Sequence, residues 1–283
     1  MSKNNILVSV IIPTYNRSKT ILKTLESVKN QTYRPVEIIV VDDGSKDNTE
    51  KIVSNWIKHN LSFDLTAIYI SQLNKGAPIA RNMGLMSSKG RFVQFLDSDD
   101  ILYPEKFTVQ VNDLLANKSS ISVCNFKYVS PKNKYKIIEN SGNLKWRMAL
   151  GWSVFTAAPL MDKNNLHIDL WDPCLRITQD IDYFLKHIIA ANKITHVNQV
   201  LCEYVIHDDP QISDLYKLNK PPFLRRAFNI LNYQFQIIKT SPQSYAYIYI
   251  AFLYLLKSEI RFRLVFLLKK IGFKRKHFDH SKF

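Results

Sequence analysis

Glycine is scarce in this chain, at 7 of 283 residues. That scarcity excludes collagen-like, flexible-linker and glycine-rich repeat architectures. Cysteine is scarcer still. Cys124, Cys174 and Cys202 lie far apart, and none belongs to a C-x-x-C pair or to a His/Cys cluster with zinc spacing. A disulfide scaffold and a structural zinc site are therefore set aside in favour of three reduced thiols in a cytosolic protein. No G-x-G-x-x-G follows the first strand-like run, and no G-x-x-x-x-G-K-[ST] occurs. Dinucleotide and P-loop readings both fail for want of a glycine cradle. Long apolar runs are missing as well. The longest, residues 246–256, falls well short of the roughly 20 residues a membrane span needs. Residues 1–5 are polar and lead into a strand-like run, not into the long apolar core of a signal peptide. The expectation is a protein neither secreted by a cleaved signal nor integral to a membrane.

What is present is the composition of a globular protein, 46% hydrophobic and 22% charged, with enough apolar mass for a sizeable core. Lys and Arg number 39 against 24 Asp and Glu, a net charge of +15. The excess is segregated. Residues 222–283 hold 12 Lys and Arg against Glu259 and Asp279, so +10 of the +15 lies there. The same segment is dense in aromatics, among them Tyr245, Tyr247, Tyr249, Phe252, Tyr254, Phe262, Phe266 and Phe273. Basic residues interleaved with aromatics fit an anionic membrane surface better than nucleic acid, with a merely solvated helical appendage as the plain alternative. The Pro221-Pro222 pair makes a natural hinge, which divides the chain into residues 1–220 and a helical basic extension, 221–283.

The first part alternates strand and helix. Residues 7–13 form a run rich in β-branched residues, typical of a strand buried on both faces, and 36–41 read as a second buried strand. Helical spacing of Ile21, Leu25 and Val28 predicts a helix over 18–31; Asn48 opens a second with Ile52, Val53, Trp56 and Ile57 on one face. Residues 65–70, 78–86 and 91–96 read as strand, helix and strand. Such alternation predicts an α/β fold with a mostly parallel, Rossmann-like sheet flanked by helices. In such a sheet the carboxyl ends of the strands share one edge, where ligands bind. Thr14, Tyr15 and Asn16 follow the first strand, Asp42 and Asp43 end the second, and Asp97, Asp99 and Asp100 end the fourth.

Five aspartates on one rim repel one another unless a cation or hydrogen-bond donors compensate. Asp97-Ser98-Asp99-Asp100 offers hard oxygen ligands of the kind that select Mg²⁺ or Mn²⁺, an ion that completes its shell with water and substrate phosphates. A nucleotide diphosphate is the ligand class this suggests. The alternative for Asp100 is a local cap on a helix beginning near Pro104.

Four blocks now carry a resemblance. Val8-Ser9-Val10-Ile11-Ile12-Pro13-Thr14-Tyr15-Asn16-Arg17 and Glu37-Ile38-Ile39-Val40-Val41-Asp42-Asp43-Gly44-Ser45 are followed by Asn74-Lys75-Gly76-Ala77 with Ala80-Arg81-Asn82-Met83-Gly84, and then by residues 95–100. In this order and spacing they resemble the family 2 glycosyltransferases of the GT-A fold, over residues 6–210. The resemblance implies inverting transfer of a sugar from a nucleotide diphosphate sugar, most often a UDP-sugar, to an acceptor hydroxyl. It implies that Thr14 and Tyr15, with Pro13, line the nucleobase pocket and that Asp43 hydrogen-bonds the base. Arg81 would lie near the phosphates. Asp97, with Ser98 beside it, would reach the ribose, and Asp99 the metal, Mn²⁺ or Mg²⁺. His207 lies where related enzymes carry a histidine near the diphosphate or metal; a structural histidine is the alternative.

An inverting transfer needs a general base opposite the departing phosphate. Residues 171–175 and 179–185 resemble the family's acceptor-side segment, where a Glu-Asp pair heads a helix and its Asp is the base. Here the pair is Gln179-Asp180, so Asp180 keeps the base role while the neighbouring carboxylate is missing. Asp182, two residues on, faces away from Asp180 and is expected to be a solvated helix-start carboxylate. Trp152 and Trp171 are either sugar-stacking platforms or core. The reading is a metal-dependent inverting glycosyltransferase acting on a glycan or glycolipid acceptor of a lipid-linked surface polysaccharide. It would be cytoplasmic and peripheral on the inner face of a bacterial plasma membrane. The rival is a non-catalytic nucleotide-sugar-binding scaffold, for which Gln179 is the support. A nucleotidyltransferase, which needs a glycine- and arginine-rich loop after the first strand, is weaker.

Overall fold

The computed structural model describes residues 6–130, 134–142, 144, 154–175 and 179–206. His207, Trp152 and the extension 221–283 lie outside the described residues. Strands β1 (Val8–Thr14) and β2 (Val36–Asp42) are buried at every position, as their largely apolar sequences require, and the buried Ser9 and Glu37 satisfy each other by a hydrogen bond from Ser9 Oγ to Glu37 Oε1. They pair in parallel, Val8 opposite Val36 through Thr14 opposite Asp42. Strand β3 (Leu65–Ser71) pairs in parallel on the far side of β2, and β4 (Phe92–Phe95) in parallel on the far side of β1. At the sheet edge, β3 alternates buried and exposed residues, leaving Ile68 46% exposed.

Three helices connect these strands: α1 (Ile21–Lys29), α2 (Thr49–Asn60) and α3 (Ala77–Ser87). Helix α1 buries Ile21, Leu25 and Val28, the expected face, but begins later than its apolar spacing suggests. Residues 17–20 are diverted into a loop because the Arg17 and Ser18 N–H groups donate to Thr49 Oγ1 (2.9 Å) and Asp47 Oδ2 (3.1 Å). On α2, Val53 and Trp56 are buried, and Trp56 Nε1 donates to Glu26 of α1. Gly84 lets α3 lie against the sheet, since a Cβ there would stand 2.4 Å from Ile11 Cγ2.

Beyond β4 the expected parallel order gives way to a mixed one. The remaining strands are β5 (Ile101–Leu102), β6 (Ile121–Val129), β7 (Tyr135–Ile138), β8 (Pro159–Asp162) and β9 (Ile194–Val205), with helix α4 (Lys106–Asn117) before β6 and α5 (Gln179–Ala190) before β9. Among the described residues the sheet has nine strands in the order β3-β2-β1-β4-β8-β6-β9-β5, with β7 on β6. β8 is antiparallel to both β4 and β6, while β6 and β9 run parallel. β7 is antiparallel to β6 because a short link joins the two, which only antiparallel pairing permits. Among the described residues no helix is long and apolar enough to cross a membrane.

Candidate active site

The carboxyl ends of β1, β2 and β4 open onto a cleft of about 790 Å³. Of the expected nucleotide and metal residues, Pro13, Thr14, Tyr15, Asp43, Arg81, Asp97, Ser98 and Asp99 all line it. Two loops frame one wall and are stitched together. Asn16, in left-handed backbone at φ 50°, donates its N–H to Ser45 Oγ (2.8 Å) and accepts from Lys46 N (2.8 Å). Asp47 holds the same junction. Burial works to raise its carboxyl, but hydrogen bonds from Thr49 and Ser18 outweigh that and keep it at about 2.

Asp43 is held in place by three donors. Its Oδ1 accepts from Gln72 Nε2 and Lys75 N, both at 2.7 Å, and its Oδ2 from Gly76 N at 2.8 Å. Gly76 reaches that oxygen with φ +97°, a backbone conformation that suits glycine. Asp42, its neighbour, does not join the cleft. It accepts from Ser45 N and from the Tyr69 hydroxyl, each at 2.7 Å, and so fixes the turn after β2. Alternation along a strand sends adjacent side chains to opposite faces, so only one of the pair serves the site.

At the end of β4, Asp97 Oδ1 accepts from Arg81 Nη2 at 2.7 Å. Arg81 is no solvated helix residue: it is buried, its Nη1 donates to Gln179 Oε1 (2.9 Å), and its guanidinium carbon sits 4.4 Å over the Trp171 ring. Asp99 Oδ2 lies 3.5 Å from Arg17 Nε. Asp100 is buried. Burial first, then the charges of Asp99 and Asp97, push its carboxyl well above the ordinary carboxylate range. It does not cap α4, whose N-cap is Glu105; instead its Oδ1 accepts from Val205 N at 3.2 Å.

Four buried polar atoms on or under this cleft have no hydrogen-bond partner among the described residues: Thr14 Oγ1, Thr20 Oγ1, Arg81 Nε and Asp100 Oδ2. Orphaned groups of this kind are costly unless a ligand or ion supplies their partners. The acidic set also suits a divalent cation. Among the described residues no three His, Cys, Asp or Glu side chains form a closed metal cage. Mg²⁺ and Mn²⁺ sites that use substrate phosphates need only one or two carboxylates, and Asp97 and Asp99 are the carboxylates on the cleft wall that could supply them.

Asp180, the expected base, sits half-buried in the first turn of α5, outside the cleft lining. Its neighbour Gln179 provides the link to the cleft through Arg81. Asp182 corrects an expectation. It is buried, not solvated, and pairs with Lys186 one turn on at 2.8 Å. Trp171 belongs to the core, 1% exposed and stacked 3.9 Å from Tyr183, so it is not a sugar platform. Its backbone is clamped by Asn82, which accepts from Trp171 N (2.7 Å) and donates to Trp171 O (2.8 Å).

Asn74, Gly76 and Ala77 of the third block line the cleft, as do Arg17, Asp47, Tyr204 and Val205. Roles for these residues were not assigned from sequence. Arg17 stood within a quoted block, and Tyr204 and Val205 lie just before His207, but β9 returns to the rim from a distant part of the chain.

The model for "Glycosyl transferase family 2" matches residues 9–159. An uncharacterized glycosyltransferase of Rickettsia typhi is 32% identical over 217 residues, 71% of this chain and 64% of that relative. The Escherichia coli enzyme WfgD, a UDP-Glc:alpha-D-GlcNAc-diphosphoundecaprenol beta-1,3-glucosyltransferase, is 37% identical over 124 residues, 44% of this chain and 47% of its own. The chain thus spans less than two thirds of the length of these relatives. Among solved structures, S. aureus TarS 1-349 in complex with UDP-GlcNAc superposes with a TM-score of 0.64 at 24% identity, over 80% of this chain and 67% of that one. At that identity the likeness shows the fold, which is GT-A.

Proposed function

Because the chain belongs to glycosyl transferase family 2, we propose that it transfers a sugar, with inversion, from a UDP-sugar to a hydroxyl of a growing lipid-linked surface polysaccharide. The observation that carries this reading is the convergence of Asp43, Arg81, Asp97 and Asp99 on one cleft that has buried, unpartnered polar atoms on or under it. Asp43 Oδ2 accepts one hydrogen bond within the protein, which leaves a lone pair for the imide N–H of a uracil. Thr14 and Tyr15, 41% exposed at the mouth, would flank that base. Asp97 and Ser98 would meet the ribose, and Asp99 would hold a divalent cation. When bound, that ion supplies charge neutralisation for a departing diphosphate. Asp180 takes the proton of the acceptor hydroxyl as general base. WfgD, named for a UDP-sugar and a diphosphoundecaprenol acceptor, supports both the donor and the lipid-linked acceptor. Such an acceptor would place the protein at the inner face of the membrane.

The scaffold alternative leaned on Gln179. Arg81 already pairs with Asp97, and Gln179 gives its second nitrogen a neutral acceptor without adding a third charge. The substitution therefore has a positioning rationale, and Asp180 remains.

UDP release from a panel of UDP-sugars with Mn²⁺ and lipid-linked acceptors tests the reading. Asp180→Asn should lower turnover by about 10²–10⁴-fold while UDP affinity is retained. Absence of turnover with every donor, or full activity in the variant, would overturn it.

A further inference from the structure

Two arginines face the acidic loop, and they are held very differently. Arg81 is pinned three ways, by Asp97 at 2.7 Å, by Gln179 at 2.9 Å and by the Trp171 face at 4.4 Å, with its side chain 8% exposed. Arg17 has a fixed backbone, its N–H donating to Thr49 Oγ1 at 2.9 Å, but among the described residues its guanidinium makes one long contact, Nε to Asp99 Oδ2 at 3.5 Å. Its side chain is 23% exposed on the cleft wall. The first pair is built in. The second is loose enough to exchange, because an ion pair at that distance and exposure is worth little.

Taking the donor-site reading as premise, we propose that Arg17 is an exchangeable counter-ion: it neutralises Asp99 in the donor-free protein and moves onto the diphosphate when donor and cation enter. Asp97, Asp99 and Asp100 crowd three carboxyls into four residues, so a positive group beside Asp99 lowers their mutual repulsion. The same oxygen cannot be shared at full strength between a guanidinium and a divalent ion. A diphosphate entering the cleft offers Arg17 a stronger partner, since guanidinium pairs with phosphate in bidentate geometry. The exchange makes Mn²⁺ binding weak alone and strong with nucleotide, which couples the two ligands. Arg17 is thereby assigned to recognition of the diphosphate, not of the base or the sugar.

The test compares wild type, Arg17→Ala and Arg17→Lys by calorimetry with UDP and with uridine, and by the electron-paramagnetic signal of free Mn²⁺. Arg17→Ala should weaken UDP binding in the presence of Mn²⁺ by about tenfold or more. Uridine affinity should not change, and donor-free Mn²⁺ binding should tighten. Arg17→Lys should recover part of the UDP affinity. Equal losses for uridine and UDP would overturn the proposal by showing a structural role for the loop, and so would unchanged UDP and Mn²⁺ binding. A wild-type protein that binds neither UDP nor uridine would overturn the donor reading itself, and this assignment with it.

Discussion

Asp43 shows how a single side chain can be both structure and site. Three donors converge on its carboxylate, and two of them are the backbone N–H groups of Lys75 and Gly76 at the entrance to α3. Replacing one oxygen by an amide nitrogen, as in Asp43→Asn, sets donor against donor and leaves a buried N–H without an acceptor. The expected result is a loss of about 1–3 kcal/mol in thermal or denaturant unfolding, together with at least about tenfold weaker UDP binding by calorimetry. Loss of stability with intact UDP affinity would separate the two roles and remove Asp43 from the base pocket. Asp43, Asp97 and Asp99 were legible in the sequence because a strand end fixes where its side chains emerge, whereas Arg81, inside α3, was marked by the family resemblance alone. The facing of Asp180 and Asp182 was only half legible. Helical spacing separates their directions, but which of them is buried depends on packing partners such as Lys186 and on neighbours the sequence does not order. The reach of Arg17 to Asp99 was hidden for a similar reason: 82 positions separate residues that the loop brings to 3.5 Å.

At the scale of elements, helix α5 is docked by an aromatic cluster. Phe95 meets Trp171 and Tyr183 edge-on at 5.2 and 5.3 Å, and Tyr183 lies 4.2 Å from the ring of His187. His187 closes the cluster with both ring nitrogens committed. Its Nδ1–H donates to Tyr183 O at 2.7 Å, and its Nε2 accepts from Asp169 N at 2.9 Å. That arrangement requires a neutral ring, and burial accordingly lowers its pKa, against a smaller opposing effect of the Tyr183 carbonyl. The sign follows from linkage. Above the unfolded-state value, about 6.5, both states are neutral and the full contribution is present. As pH falls below it, the unfolded chain takes up a proton that the folded one resists, so stability is lost by up to about 1.4 kcal/mol per pH unit until the lowered pKa is reached. Melting temperature should therefore fall between about pH 7 and 5, and the slope should flatten in His187→Asn even though that variant starts lower. An identical slope in both proteins would reject His187 as the source. The strand–helix alternation of the first 100 residues was legible to within a residue or two, except at α1, where Asp47 and Thr49 capture the first turn. The mixed second half was not, because nothing local in β6, β8 and β9 encodes which strand each will meet.

For the molecule as a whole, the uneven charge is the feature with the widest reach. Residues 222–283 carry +10 of the net +15, while the cleft is acidic at its floor. An acceptor held in a bilayer by its lipid diffuses in two dimensions, so an enzyme that stays on that surface meets it far more often than one in bulk solution. Anionic headgroups attract nearby Lys and Arg by about 1 kcal/mol each, and the attraction decays within a Debye length of about 8 Å at physiological salt. Interleaved aromatics add an apolar component that salt does not screen. The chain is accordingly expected to co-sediment with phosphatidylserine-rich vesicles at about 0.1 M salt, and to release only partly when salt is raised toward 1 M. Replacing Lys269, Lys270, Lys274, Arg275 and Lys276 by Gln should abolish most of that binding while leaving UDP affinity unchanged, because the cleft residues proposed to hold UDP all lie between positions 13 and 205. Turnover should then fall on vesicle-borne acceptor and hold on a soluble acceptor analogue. Vesicle binding that survives the five substitutions would assign the segment to a protein partner instead.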